Sequence, residues 1–397
     1  MGRRAGTPWG RAVALAALVG IAPSALASGA EAPGSWSADS PLPTPCSNLA
    51  AGVAANGHLY VMGGMDSTGA PSKTVLMLNT ADTPHHPWTE VAHMPTARAD
   101  LAVGGYSQCC LYALGGSDDE GKDLDTNEFY NWETERWGTD PPLPFSRTQF
   151  AMGVVDKNLY LVGGYNDYAG FTERGVNVFQ ASTGTWTETN ELPTPRKKLA
   201  VGVLDGKLYA VGGETQSGLP LDTVEMYDPV TMQWTQRAPM PTARSSLGVA
   251  TGNGQLYAVG GSNKDHLVLD TVEMYNPVTD TWATVTPMPT ARAGLAVAHH
   301  PYLGLYAVGG HDALGQPLDV VEVLQTPVAW PSLPSPPPAS PSSQSTTVII
   351  GAAAGGGALL VSLAAAFYIK RRRQVYRQQV ARLTMARATA SPSPASV

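Results

Sequence analysis

The chain has 397 residues, of which 42 are glycine and 33 are proline. Together, glycine and proline make up a larger share of this chain than the roughly 12% that they make up in an average protein. This composition disfavours a helix bundle and favours a turn-dense β architecture. With 43% apolar residues the chain can bury a large core, so wholesale disorder is excluded. All 32 Asp and Glu residues lie between the two ends of the chain, and an acidic middle argues against nucleic acid as a partner.

The first 27 residues have the pattern of a secretory signal peptide. Three arginines precede or begin an apolar stretch at 12–21, and small residues at Ala25 and Ala27 fit the positions that a signal peptidase inspects. We therefore predict a signal peptide at residues 1–27 with cleavage after Ala27.

Residues 36–330 contain a repeat. A Leu-Tyr-x-x-Gly-Gly unit occurs six times at spacings of 48 to 52 residues, and a Trp follows most doublets about 22 residues later. The doublets begin at Gly63, Gly115, Gly163, Gly212, Gly260 and Gly309. Each unit contains four short β segments, which in the fourth unit are Leu199–Leu204, Lys207–Gly212, Thr223–Tyr227 and Gln233–Arg237. Four antiparallel strands per unit at this period predict the blades of a β-propeller.

The doublet, the Tyr before it and the later Trp resemble the kelch repeat. The resemblance implies an all-β, six-bladed kelch-type β-propeller over residues 28–330. Trp36 stands five residues before Pro41, as Trp282 stands five before Pro287. We therefore expect the N-terminal segment to supply the fourth strand of the last blade. Trp330 is the rival closing residue, but a Pro follows it directly.

The C-terminal residues predict a membrane anchor. Residues 331–347 are rich in Pro and Ser and predict an extended stalk. Residues 348–369 carry no charge and are long enough, as a helix of about 33 Å, to cross a bilayer about 30 Å thick. The basic tail at 370–397 then predicts a cytoplasmic C-terminus. We expect a single-pass type I protein of the cell membrane or another secretory-pathway membrane, with the propeller outside the cytoplasm.

Cysteine and histidine give no indication of a metal or cofactor. Cys46 is expected on the opposite face of the propeller from Cys109 and Cys110, so a disulfide between them is not expected. We prefer free or partly buried thiols to a redox site. No His or Cys spacing matches a metal motif. Some kelch relatives are copper oxidases of the galactose oxidase kind, but the Tyr, Cys and two His that they require cannot be assembled here.

An arginine recurs where the first strand of most blades begins. The set is Arg98, Arg147, Arg196, Arg244 and Arg292, with Cys46 at the first position. Glutamates recur on the third strands at Glu128, Glu225, Glu273 and Glu322. Two interpretations are open: an Arg–Glu ring that pins blade to blade, or an anion-binding mouth at the central channel.

In a four-strand meander, the connection into strand one and the connection from strand two to three share a face. Two residues after the arginine position stand Asn48, Asp100, Gln149, Lys198, Ser246 and Gly294. The longest of the irregular loops carries Tyr165, Asn166 and Tyr168. Propellers place recognition on such loops, and the resemblance points to the same face. The arginines, Asp100, Gln149, Lys198, Ser246 and the three loop residues are therefore the candidate partner-binding set.

We expect a membrane-anchored extracellular recognition module that binds a protein, a peptide or a glycan. The alternative is an extracytoplasmic enzyme on an anionic sugar, since six-bladed kelch relatives include a sialic acid mutarotase. No single carboxylate stands out as its acid or base, so no catalytic residue is assigned. A purely structural surface protein is a third possibility.

Overall fold

The structure, a computed structural model, describes residues 34–80, 87–106 and 109–326. These residues form six sheets, each of four antiparallel strands, which confirms the six-bladed β-propeller. Blade 1 contains β2 (Ala50–Val53), β3 (Leu59–Met62), β4 (Val75–Leu78) and β5 (Trp88–Glu90). Blade 2 contains β6 (Ala102–Tyr106), β7 (Cys110–Leu114), β8 (Asn127–Asn131) and β9 (Arg136–Thr139).

The third blade has a small extra hairpin. Blade 3 contains β10 (Ala151–Val155), β11 (Asn158–Val162), β14 (Val176–Gln180) and β15 (Thr185–Thr189). Between its second and third strands, β12 (Tyr165–Asn166) pairs with β13 (Phe171–Thr172). Blade 4 contains β16 (Ala200–Leu204), β17 (Lys207–Val211), β18 (Val224–Asp228) and β19 (Gln233–Arg237).

The ring closes in the last blade. Blade 5 contains β20 (Gly248–Gly252), β21 (Gln255–Val259), β22 (Val272–Asn276) and β23 (Thr281–Thr284). Blade 6 contains β24 (Ala296–His300), β25 (Gly304–Val308), β26 (Val321–Leu324) and the N-terminal β1 (Trp36–Ala38). β1 pairs with β26, with Trp36 opposite Leu324, so Trp36 lies on the fourth strand of the last blade. Trp330 lies outside the described residues.

First strands lie next to each other around the axis, and the last of them, β24, contacts β2 of blade 1. Aromatic side chains fill the space between blades, which widens away from the axis. The ring of Tyr209 on blade 4 packs against Tyr275 on blade 5 at a centroid distance of 5.8 Å, and Tyr275 packs against Trp282 at 5.1 Å. The Trp282 indole N–H donates to the Ala238 carbonyl at 2.8 Å. These recurring residues therefore join neighbouring blades.

The glycine doublets allow close contact between blades. Gly212 and Gly213 have φ angles of 59° and 95°, a left-handed backbone that favours glycine. A Cβ on Gly212 would lie 2.7 Å from the Arg244 carbonyl oxygen of the next blade. The Gly213 N–H donates to that same carbonyl at 3.0 Å. Both the left-handed backbone and the close contact with the next blade therefore require glycine at the doublet.

One expectation about cysteine is wrong. Cys109 and Cys110 form a disulfide with each other, where free thiols were preferred. Successive side chains of a β-strand point to opposite faces of the sheet. Cys109 lies in the turn before β7 and is not part of the strand, so its side chain can point to the same side as that of Cys110. Cys46 is unpaired, its thiol donates to the Gly63 carbonyl at 3.3 Å, and burial raises its pKa to about 12.

The predicted signal peptide at 1–27, the stalk at 331–347, the membrane span at 348–369 and the basic tail at 370–397 all lie outside the described residues. Within the part of the chain that the structure describes, no helix has the length and apolar character needed to cross a membrane.

Candidate functional site

Two kinds of connection meet on one face of the propeller, as the meander predicts. The connector from the fourth strand of one blade to the first strand of the next pairs with the loop between that next blade's second and third strands. Isolated bridges join Ser47 to Met65, Thr148 to Tyr165 and Lys197 to Glu214. We call this surface the loop face. The described chain ends, around Gly34 and Gln325, meet at the opposite end of the blade, where the Gly34 N–H donates to the Gln325 carbonyl.

Six connector residues form a closed ring of backbone hydrogen bonds around the axis. They have left-handed φ angles between 52° and 60°. Lys198 N–H donates to Gln149 at 2.8 Å, Ser246 N–H to Lys198 at 2.9 Å, and Asn48 N–H to Gly294 at 2.8 Å, which closes the circle between the first and last blades. We call this set the channel ring, and its members are Asn48, Asp100, Gln149, Lys198, Ser246 and Gly294.

The channel ring borders a cavity of about 120 Å³. Its floor is apolar, because the residue after each ring position is buried, as Leu101, Phe150 and Leu199 show. The ring uses its own backbone N–H and C=O groups, so side chains are what it offers to a ligand. The structure thus brings together the predicted Asp100, Gln149, Lys198 and Ser246.

The lysines at the mouth are already paired. Lys198 Nζ lies 3.0 Å from Glu214 Oε1, and Lys197 Nζ lies 3.8 Å from the same oxygen. Ser245 Oγ donates to Glu214 Oε2 at 2.9 Å. Lys197 also stands over the ring of Tyr165, 4.8 Å from its centroid. Glu214, which sequence reasoning did not select, therefore organises one side of the mouth.

The acceptors on the other side are not paired. The Asp100 carboxylate makes no hydrogen bond to another described residue, and the buried Gln149 Oε1 has no partner among them. Burial raises the pKa of Asp100 to about 6; Asp123 raises it further and Lys198 opposes the shift. A carboxyl with this pKa titrates near neutrality.

The five arginines are placed away from the surface that a partner could reach. Each is at most 1% exposed. Arg196 lies 2.6 Å from Glu225, Arg244 lies 2.7 Å from Glu273, and Arg292 pairs with Glu322 at 2.8 Å, always within one blade. Desolvation lowers the pKa of Arg196 to about 10, which leaves it charged at neutral pH.

The buried pairs explain the recurring Glu positions. A Thr two residues before each paired arginine donates to the same carboxylate, as Thr194 Oγ1 does to Glu225 at 2.8 Å. The arginine side chain thus stabilises its own blade, whereas its backbone carbonyl joins the preceding blade through the glycine doublet. We leave the arginines out of the proposed binding surface, because they would have to abandon buried carboxylates to reach a ligand.

Blades 1 and 3 lack the glutamate. In blade 1 both members change, with Cys46 at the arginine position and Leu76 at the glutamate position. In blade 3, Arg147 donates to Asn177 at 2.7 Å and stacks on Phe145 at 4.5 Å. Arginine and glutamate are thus lost together in blade 1, as expected of a buried ion pair.

The blade 3 loop differs from the other five, being two residues longer. Its β12–β13 hairpin is held from both sides. The Asp167 N–H donates to Asp123 of the blade 2 loop at 2.6 Å, and the Thr172 N–H donates to Gln216 of the blade 4 loop at 2.6 Å. Asn166 is buried and accepts from the Ala169 N–H at 3.0 Å, so it shapes the hairpin and does not face a partner.

The hairpin displays aromatic rings to solvent. Tyr168 is 98% exposed and Phe171 is 51% exposed. The loops of blades 4, 5 and 6 expose Leu219, Leu267 and Leu314 on the same face. Sequence reasoning selected Tyr168 but missed the other four, because the sequence does not show which apolar residue of each loop is exposed.

The blade 2 loop is acidic at its tip, with Asp118, Asp119 and Glu120. Asp118 and Asp119 border a groove of about 410 Å³ whose other walls come from blade 1 and from the connector at Pro95. No group of three or more His, Cys, Asp or Glu within the described ranges is placed to hold a metal ion.

Comparison with known proteins agrees with this geometry. The chain matches the KLHDC2/KLHL20/DRC7 Kelch-repeats domain over residues 108–310 and the Kelch motif over residues 47–95. The fold and the repeat define a β-propeller of the kelch type. The chain belongs to the kelch-repeat β-propeller family.

Curated relatives share only part of their length with this chain. An F-box/kelch-repeat protein of Arabidopsis thaliana is 31% identical over 119 residues, 28% of this chain and 27% of the relative. Kelch-like protein 34 of Homo sapiens is 29% identical over 137 residues, 32% of this chain and 21% of the relative. Kelch repeat and BTB domain-containing protein 12 of Danio rerio is 30% identical over 152 residues, 33% of this chain and 24% of the relative. The chain thus spans about a quarter of the length of these relatives.

One solved structure resembles nearly the whole propeller. The structure of YjhT superimposes with a TM-score of 0.62 at 19% sequence identity, over 71% of this chain and 95% of that chain. At this identity the likeness shows the fold alone.

Proposed function

We propose that this protein is a membrane-anchored recognition module that binds a protein or peptide partner through its loop face. The observation that carries the proposal is the clamped β12–β13 hairpin, which displays Tyr168 and Phe171 beside the exposed leucines of three neighbouring loops. Kelch propellers suggest protein binding in general. The proposed location is a secretory-pathway membrane, with the propeller outside the cytoplasm, and rests on the sequence patterns at 1–27, 348–369 and 370–397.

Exposed aromatic rings on a rigid platform suit recognition. Tyr and Phe supply large contact areas at low cost in conformational entropy, and such residues dominate binding energy at interfaces. Because Asp123 and Gln216 hold the hairpin from both sides, less order has to be imposed when a partner binds. The described chain ends, around Gly34 and Gln325, lie at the opposite face.

The enzyme alternative depended on arginines near the mouth that would hold an anionic sugar. These side chains are buried against glutamate, and the lysines of the mouth are paired with Glu214. These arginines and lysines therefore give no support to an anionic-sugar site.

A binding screen tests the proposal. The full-length protein in detergent micelles is offered to arrays of secreted proteins and of glycans, beside a variant carrying Tyr168→Ser and Phe171→Ser. A matched control carries Val230→Ser and Val278→Ser, which alter exposed apolar residues on turns of the opposite face. We expect protein partners that the hairpin variant loses and the control keeps, at unchanged melting temperature. Partners that both variants keep, or glycans alone, would contradict the proposal.

A further inference from the structure

We infer that the channel ring is a cation-binding pocket, which receives the ammonium or guanidinium group of a Lys or Arg side chain on the partner peptide. The inference rests on the proposed function, since it names the chemistry of the same partner. It concerns Asp100 and Gln149, which lie next to each other in the ring.

The first step is the surplus of acceptors. The Asp100 carboxylate faces the cavity without a hydrogen bond to any described residue. Gln149 Oε1 is buried beside it, and no donor reaches it within the described ranges. An unpaired buried acceptor is costly, so a ligand that brings donors to both oxygens binds favourably. Ammonium and guanidinium groups carry several donors and no acceptor.

The second step excludes an anion. Lys197 and Lys198, which would attract one, already share Glu214 at 3.8 and 3.0 Å. Ser245 donates to the remaining Glu214 oxygen. An anion would have to displace a carboxylate that is itself well bound, whereas a cation meets oxygens that have no donor. Charge complementarity therefore favours a positive ligand.

The third step is size. The cavity of about 120 Å³ is comparable with protein cavities of about 150 Å³ that hold one benzene molecule. A side-chain head group fits this space, and a strand or helix does not.

The pocket is expected to be sensitive to pH. Because Asp100 has a pKa of about 6, it binds a cation as the carboxylate and loses that charge when the pH falls below 6. Lys198 and Asp123 face it, and Lys197, Glu214 and His311 complete the charged groups around the mouth. Affinity should therefore rise as the pH increases from 5 to 7.

Short random peptides displayed on phage and selected against the full-length protein in detergent micelles test the inference. The strongest binder is then synthesised with each Arg or Lys replaced by citrulline or norleucine, which remove the charge. Wild type is compared with Asp100→Asn. Asp205→Asn is the matched control, because Asp205 has the same left-handed backbone (φ 49°) and lies in a turn of the opposite face.

We expect one basic residue whose neutralisation weakens wild-type binding by about tenfold or more, as for a charge-assisted hydrogen bond. The same neutralisation should have little effect on Asp100→Asn, whereas Asp205→Asn should behave as wild type. Binders that need Tyr168 but no basic residue would overturn the inference and leave the proposed function standing. Binders that need neither Tyr168 nor Asp100 would overturn both. Arginine amide that binds alone with the same dependence on Asp100 would assign the cation to a free small molecule and overturn the peptide part.

Discussion

Two positions of the same connector, only two residues apart, have opposite characters. The arginine position is nearly constant in residue type and buried, and its side chain pairs inside the blade. The channel-ring position is constant in backbone conformation, with φ between 52° and 60°, but differs in residue type in every blade. In this propeller, repeated side chains stabilise the fold, and varied side chains on a repeated backbone form the candidate binding surface.

The buried pairs give the largest predicted effect. Arg244→Leu should lower the free energy of unfolding by about 3–5 kcal/mol, because the buried Glu273 carboxylate then loses its countercharge and keeps only the hydrogen bond from Thr242. The measurement is urea denaturation. The combined variant Arg244→Cys plus Glu273→Leu copies the pair that blade 1 already uses at Cys46 and Leu76. It should recover a large part of the loss, and a double variant less stable than the single one would contradict the ion-pair interpretation.

The left-handed backbone of the channel ring gives the second-largest predicted effect on stability. Gly294→Ala should destabilise the protein by about 1–3 kcal/mol, since Gly294 has φ 60° and its new Cβ would meet Asn48 Oδ1. Ser246→Gly is the matched opposite change. Glycine adopts the left-handed backbone of this position without steric strain, so the stability of the protein should stay equal or rise slightly. Thermal denaturation compares the two. Equal losses from both would show that the ring conformation does not matter.

The hairpin clamp gives a smaller and more local effect. Gln216→Leu removes the acceptor for the Thr172 N–H and hydroxyl and should cost about 1–2 kcal/mol. Amide hydrogen exchange should quicken at Thr172 while the strands of blade 3 stay protected. Unchanged exchange there would mean that the hairpin is rigid without its neighbours.

The smallest effect is the pH dependence of stability. The pKa of Asp100 is about 6 in the folded protein, above its ordinary value, so the folded state takes up a proton as the pH falls from 7 to 5. This group should therefore stabilise the protein at the lower pH by about 1 kcal/mol, allowing for its contact with the cavity. Asp100→Asn should remove that part of the pH dependence. If the difference in free energy of unfolding between wild type and Asp100→Asn stays constant from pH 5 to 7, the raised pKa of Asp100 is excluded.

The fold could be predicted from the sequence because each blade contains one Tyr-x-x-Gly-Gly unit, so the number of units gives the number of blades. The Tyr and the two glycines recur because each blade must pack against the next. Closure by Trp36 could be read from its distance to Pro41. The shared face of connectors and loops also follows from strand order alone.

The site was less accessible to sequence reasoning. Nothing in the residue types Gln149 or Lys198 indicates a left-handed backbone, which Asn48, Asp100 and Gly294 favour. The clamp on the β12–β13 hairpin depends on Asp123 and Gln216, which lie in two other blades. For the arginines, the sequence leaves both an Arg–Glu ring and an anion-binding mouth open, because the pairing of each arginine with a third-strand glutamate of its own blade becomes visible only in the sheet register.

The most direct test of the account is hydrogen exchange of the full-length protein with and without its captured partner. The account predicts slowed exchange in the loops at 165–175, 214–222 and 262–270 and in the connector at Asp100, with no change in the turns at 228–232 and 276–280. Protection confined to those two turns on the opposite face would contradict it.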